Sequence, residues 1–361
     1  MNPREQERST ISHLFGHSVH TRAVRKWHPV SALVYDMYEI ERDTYTDFKR
    51  TLKHLQAHKD SIVVLNLTHE SVSANPSPDD AICKFIDKFW QRVQPHQVGV
   101  MCSQTDSLEA VRKRYPGIET CCANFWESHT ALHRQKQSLS LRSGQRFVSL
   151  NRRYTHIRAL LMYSLRNLTQ LEYSFGHRGY WDDAPALTVQ DQELKLLQDP
   201  QLTNAIKKWQ QVRGVFRELP CDITDIDEPV VWDSIYNNDI SIVVESRTAK
   251  HRASAFVTEK TFRPVSLAKP VFVIGQYNIA PTLQHMGYQT LIPHSADPVQ
   301  QVYATVAEVT RIANMDLPQY RNHLNNLQEV AQHNLHNFNK RTTPTERAKN
   351  CTPHLAKFFH A

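Results

Sequence analysis

FVTEKTFRPVSLAKPVFVIG, running from Phe256 to Gly275, holds the pattern that decides the fold. Its second half, from Pro270 to Gly275, is a short apolar run rich in valine and isoleucine and reads as a strand buried on both faces. Its first half opens with Thr258, a good helix N-cap, ahead of a helical stretch from Glu259 to Ala268. A helix leading directly into a buried strand is half of a parallel crossover unit. Thr258 places Glu259 and Lys260 in the first helical turn, at the carboxyl side of the sheet. Glu259 suits the positive end of the helix dipole, whereas Lys260 opposes it unless it points to an anion such as a diphosphate. The plainer alternative is a solvated lysine beside a capping glutamate.

The same alternation extends in both directions. Upstream, Ser61–Thr68, Gln97–Ser103 and Gly117–Phe125 read as strands, with helices opened by Ser77-Pro78-Asp79-Asp80 and spanning Ser107–Tyr115. A polar stretch at 135–145 (QKQSLSLRSGQ) marks a domain boundary. The pattern then restarts with strands at Phe147–Asn151, Leu171–Phe175 and Ile240–Glu245 and a helix from Thr155 to Leu168. Two helical segments are expected within 188–211, and helices near 298–313 and 317–338 close the series. The expectation is an α/β chain of two Rossmann-like, doubly wound domains facing a cleft, at 1–140 and 141–340. A polar tail at 341–361 is expected to be loosely held.

Composition excludes several classes. Only 9 of 361 residues are glycine, and no two lie closer than three positions apart. Walker A loops and GxGxxG fingerprints need clustered glycines, so any phosphate must be held by side chains and helix starts. No apolar run approaches the roughly 18 residues of a membrane span. The N-terminal MNPREQERSTISHLF lacks the apolar centre of a secretory leader, so a cytoplasmic location is expected. The six cysteines show no CxxC spacing and read as thiols of a reducing compartment. Histidines at helical spacing (His13/His17/His20, His54/His58, His129/His133) read as solvated helix faces. GxSxG is absent, and His69-Glu70 is no HExxH site because Ser73 occupies the second histidine position.

Three elements carry a family resemblance. Val257-Thr-Glu-Lys260 followed by a helix and an apolar strand resembles the VTEK signature of fucosyltransferases. Val243-Val-Glu-Ser246 resembles that family's FENS element. Phe147-Val-Ser-Leu-Asn151 with Arg158 resembles its strand carrying an Asn, followed seven residues on by a phosphate-binding Arg. A similar TEKTF-x-P arrangement occurs in uncharacterised proteins of phages and marine viruses. The chain therefore resembles a fucosyltransferase-like GT-B glycosyltransferase. The segment Arg247–Phe256, with three basic residues and a histidine, departs from the family.

The resemblance implies a nucleotide-sugar donor held by Asn151, Arg152, Arg158, Glu245, Thr258, Glu259 and Lys260, with Arg153 at the rim. A guanidinium can bind two phosphate oxygens at once, and cations stabilise a departing diphosphate. The alternative for Arg158 is a helix-surface arginine packing its stem. An inverting transfer also needs a general base. The family's TGEN-like segment corresponds to Thr68-His-Glu-Ser71, which makes Glu70 the candidate. No cofactor beyond the donor is required. Asp225-Ile-Asp227 forms a DxD pair in an acidic loop and leaves a divalent metal as an alternative. A formal charge of +7, with basic stretches at Arg22–Lys26 and Arg112–Arg114, leaves two acceptors open: DNA with hydroxymethylated bases, or a glycan or lipid-linked sugar. A non-catalytic nucleotide- or DNA-binding protein of the same fold is the alternative to an enzyme.

Overall fold

A computed structural model of the chain describes residues 19–20, 32–36, 48–67, 81–103, 105–135, 137–139, 141, 144–151, 155–175, 200, 229–245, 255–291 and 297–359. Glu70, Arg152, Arg153, Asp225, Asp227, the helix start at 77–80, the segment 188–211 apart from residue 200, and the basic run 22–26 lie outside them. Contacts divide the chain into two units. One takes Met1–Leu132, Arg252–Phe256 and Asn339–Ala361; the other takes His133–His251 and Val257–Phe338.

The first unit is built on five parallel strands in sequential order: β1 (Val19–His20), β2 (Ala32–Asp36), β3 (Ile62–Leu67), β4 (Val98–Cys102) and β5 (Glu119–Cys122). Between them run α1 (Phe48–Ala57), α2 (Ala81–Trp90) and α3 (Thr105–Arg114), and α4 (Phe125–Arg134) follows β5. Right-handed crossovers that always step the same way deposit their helices on one face. Leu55, Phe85, Ile86, Phe89, Leu108 and Val111 from these helices accordingly pack with Val63, Leu65, Val98 and Val100 in one cluster. The alternate strand residues Val34, Ile62, Val64, Met101 and Cys121 face the other way.

That second face is closed by the far end of the chain, which corrects the expectation of a loose tail. Two short helices, α11 (Pro344–Lys349) and α12 (Pro353–Ala356), and the 3-10 turn Lys357–Phe359 after them bring Ala348, Leu355 and Phe358 into the core. Cys122 N–H donates to the Asn350 carbonyl at 3.0 Å, and Thr352 N–H to that of Thr120 at 2.9 Å. Leu355 N–H and the Thr352 hydroxyl both donate to Glu119. The segment is polar in composition, but an open apolar sheet face requires cover. The repeated Thr-Pro pairs at 343–344 and 352–353 are the helix-start signals that its polarity masked.

Two further expectations are corrected. Cys121 and Cys351 form a disulfide, although 230 residues apart; a pair so distant leaves no spacing motif to read. His129 and His133 are buried rather than solvated, as are Glu127, Ser128 and Thr130 on the same helix, so this helix has no apolar-only inner face for a spacing argument to find.

The second unit's sheet runs β7 (Leu171–Phe175), β6 (Phe147–Asn151), β8 (Ile240–Val244), β9 (Val271–Ile274), all parallel. One face packs α5 (His156–Ser164) and α9 (Pro298–Ala313) against Phe147, Ile242, Val244 and Phe272. Toward the other lie α6 (Pro229–Asn237) and α7 (Glu259–Ser266), with Arg263 5.6 Å from the Trp232 ring and Phe262 6.3 Å from Phe338. After α8 (Ile279–His285) and α9, the long helix α10 (Leu317–Arg341) follows. Two parallel α/β units in one chain are what the alternating pattern implied. Among the described residues, no helix is long and apolar enough to cross a membrane.

The scarce glycines serve backbone geometry. A Cβ at Gly144 would lie 1.8 Å from the Asn237 carbonyl oxygen, and Gly287 has φ +84°.

Closure of the first sheet by the C-terminal segment yields a stability test. Leu355 is fully buried, so Leu355→Ala is expected to lose about 2–5 kcal/mol in urea unfolding. An unchanged unfolding midpoint would show that the segment does not hold this face.

Candidate functional site

In the second sheet, β6 connects outward to β7, whereas β8 connects in the opposite direction to β9. Adjacent strands whose connections diverge leave a crevice beyond their carboxyl ends, because the crossover helices part to opposite faces. Asn151 ends β6, Val244 ends β8 with Glu245 following, and two helix starts flank the position. Thr155 caps α5 and Thr258 caps α7 with their hydroxyl oxygens.

Glu245 organises this edge. Its buried carboxylate accepts from Thr258 N–H at 3.0 Å, from the Thr258 hydroxyl at 2.5 Å and from the Thr261 hydroxyl at 2.6 Å. One strand end thus clamps three donors from the first turn of α7. The positive end of that helix offsets the burial of the charge. Its backbone is fixed as well, since Glu245 N–H donates to the Ile274 carbonyl at 2.8 Å. Thr261 went unread in the sequence; its signal was the i, i+3 repetition of threonine after Thr258.

Glu259 and Lys260 stand next in that turn. Lys260 Nζ donates to Glu259 Oε1 at 2.7 Å and lies 3.4 Å from the Thr258 hydroxyl oxygen. Lys260 retains 24% side-chain exposure and Glu259 only 6%. Burial would raise the Glu259 pKa, but Lys260 and Arg263 outweigh it and hold the carboxyl near 2. Arg263, also unread in the sequence, is buried over the Trp232 ring.

Arg158 is no surface arginine. It lies in the first turn of α5 with 2% exposure, and its Nη2–H donates to the Val244 carbonyl at 2.8 Å. The bond links α5 to the end of β8, across the diverging strand pair. Asn151 donates from Nδ2 to Ser149 Oγ at 3.0 Å, while its buried Oδ1 has no hydrogen-bond partner. The structure therefore brings Asn151, Arg158, Glu245, Thr258, Glu259 and Lys260 to one edge of one sheet. Among the described residues, no cluster of three or more His, Cys, Asp or Glu suits a metal ion.

No family model matches the chain, and no curated protein matches it. Among solved structures, the chain is similar to a DNA-modifying β-glucosyltransferase determined with and without uridine diphosphoglucose. The similarity has 10% identity and a TM-score of 0.41 and covers 92% of this chain and 79% of that one. It is also similar to an α,α-trehalose-phosphate synthase (UDP-forming) from Burkholderia vietnamiensis, at 11% identity and a TM-score of 0.45, over 92% and 74% of the respective chains. Neither similarity assigns an activity to this chain.

Two outcomes test the clamp and the ion pair. Glu245→Ala strands buried donors and is expected to lose on the order of 3 kcal/mol, with Glu245→Gln losing less; equal stability of both with the native chain in urea would contradict the clamp. The folded-state pKa of Glu259 is depressed from 4.5 to about 2. Its contribution to stability is therefore complete above the unfolded value and is lost as pH falls from about 4.5 to 2. Lys260→Ala raises that pKa, so acid unfolding should begin at higher pH by calorimetry. Superimposable pH profiles would rule the pair out as a determinant.

Proposed function

We propose that the chain is a nucleotide-sugar-dependent glycosyltransferase of the fucosyltransferase-like, GT-B type, with the donor diphosphate at the switch point of the second sheet. The observation that carries this reading is the helix start Thr258–Lys260 lying at the carboxyl edge where β6 and β8 diverge. That edge offers a diphosphate the first-turn amides of α7 and the Lys260 ammonium. Among the described residues of this edge Lys260 is the accessible cation, and an incoming phosphate competes with Glu259 for it. Glu259, relieved of its partner, can accept from a donor hydroxyl, and Asn151 Oδ1 is a second acceptor at the same edge. Glu245 and Arg158 act from inside the protein: the first fixes the helix start, and the second ties α5 to the end of β8 and adds positive potential.

Transfer proceeds when the sugar–phosphate bond breaks and charge develops on the leaving diphosphate, where Lys260 and the helix start stabilise it. The acceptor oxygen bonds to the anomeric carbon on the face opposite the leaving diphosphate, with inversion, and its proton passes to a carboxylate, assigned in this proposal to Glu70. Arg152 and a metal at Asp225/Asp227 are not needed for this scheme.

The test is release of nucleoside diphosphate from a panel of uridine- and guanosine-diphosphate sugars, read by a coupled assay. The native chain is expected to turn over or hydrolyse at least one donor. Lys260→Ala should weaken donor binding about ten- to hundredfold, as for loss of a charge-assisted bond. Glu70→Gln should lower kcat by about 10²–10⁴ with donor affinity unchanged. Nucleotide affinity by calorimetry that is the same in the native chain and Lys260→Ala would dismiss the donor site.

A further inference from the structure

The three helices on one face of the first unit carry most of the chain's positive excess. In α1, Lys49, Arg50 and Lys53 are exposed. On α2 and just past it stand Lys84, Lys88 and Arg92, and α3 ends with Arg112, Lys113 and Arg114. Against these nine cations, the same stretches carry three acids, Asp87, Asp106 and Glu109. The excess of six compares with seven for the whole chain.

Two details separate this layer from an ordinary solvated surface. The basic last turn of α3 is favoured by its own helix dipole and needs no partner, but Lys49 occupies the first turn of α1, which has no acid. A cation at a helix's positive end costs stability, and a bound anion offsets that cost. The guanidinium groups are also held in place. Arg92 lies 5.5 Å from the Phe48 ring, Arg114 lies 5.4 Å from that of Tyr115, and Arg112 donates from Nε to Thr120 Oγ1 at 2.8 Å. Asp87 accepts from the Tyr115 hydroxyl at 3.0 Å, so the most central acid has a partner within the layer.

We propose that this helix layer binds the phosphate backbone of duplex DNA. Helices packed about 10 Å apart spread the cations over a breadth on the order of 20 Å. A single small anion cannot neutralise such an array, whereas a duplex backbone presents a charge about every 1.7 Å along its axis. The large exposed hydrophobics among the described residues are Leu141, Val230 and Leu317, none of them on this layer. A protein partner would use buried apolar or aromatic anchors; a surface dominated by cations fits sequence-independent backbone contact. The role of DNA as the hydroxyl acceptor rests on the transferase reading, but the binding surface does not.

The experiment is fluorescence anisotropy of a 25-base-pair DNA duplex with the full chain at several salt concentrations. Engagement of about five phosphates predicts a log–log salt slope of about −4.5. The combined variant Lys49→Glu, Lys53→Glu, Lys113→Glu changes only exposed side chains and should reduce the magnitude of the slope by about 3 and weaken binding at least tenfold. Circular dichroism and nucleoside-diphosphate affinity should match the native chain, which separates failure of this surface from failure of the donor site. Native-like DNA affinity in the folded variant would overturn the proposal. So would absent DNA binding, or tighter binding of the native chain to polyglutamate or duplex RNA than to DNA.

Discussion

The second unit depends on one buried carboxylate. Glu245 follows a strand and accepts three hydrogen bonds from the beginning of α7, the helix that returns the chain to the next strand. Without it, Thr258 and Thr261 would present buried donors with no acceptor, and the first turn of α7 would have no fixed position relative to β8. With it, Glu259 and Lys260 are carried on a turn anchored to the sheet. Site geometry here derives from strand order, because the diverging connections of β6 and β8 create the crevice that the helix start enters.

Much of this was legible in the sequence. The strands Phe147–Asn151 and Leu171–Phe175 and the helix Pro298–Ala313 have the expected bounds, because buried parallel strands and one-sided helices leave strong apolar periodicity. Thr258 was readable as an N-cap because that role depends on local chemistry. The role of Glu245 was not readable. Its three hydrogen bonds reach 13 and 16 residues along the chain, and a glutamate at a strand end looks the same whether it contacts a ligand or clamps a helix. Arg158 raised the same difficulty: a helical pattern with apolar neighbours suits a surface stem, yet its guanidinium is buried on a main-chain carbonyl.

The largest departure was at the C-terminus, where polar composition concealed a structural role. Three apolar residues, Ala348, Leu355 and Phe358, suffice because they complete a sheet face that sequential crossovers leave uncovered. The same one-sided winding collects α1, α2 and α3 into a single layer and concentrates their cations there. Closure by the chain's end and the basic layer therefore follow from one feature, strand order. The glycine scarcity fits the same picture: with no glycine-rich loop, an anion must be met by helix starts and by lysine and arginine side chains.

The most direct test of the central claim is hydrogen exchange of the full chain, read by mass spectrometry with and without saturating nucleoside diphosphate. A diphosphate at the switch point predicts slowed exchange in peptides covering 256–266, where the first-turn amides of α7 would become donors to phosphate, with peptides covering 98–115 unchanged. Protection confined to the first unit, with the α7 peptide exchanging as in the free chain, would contradict it.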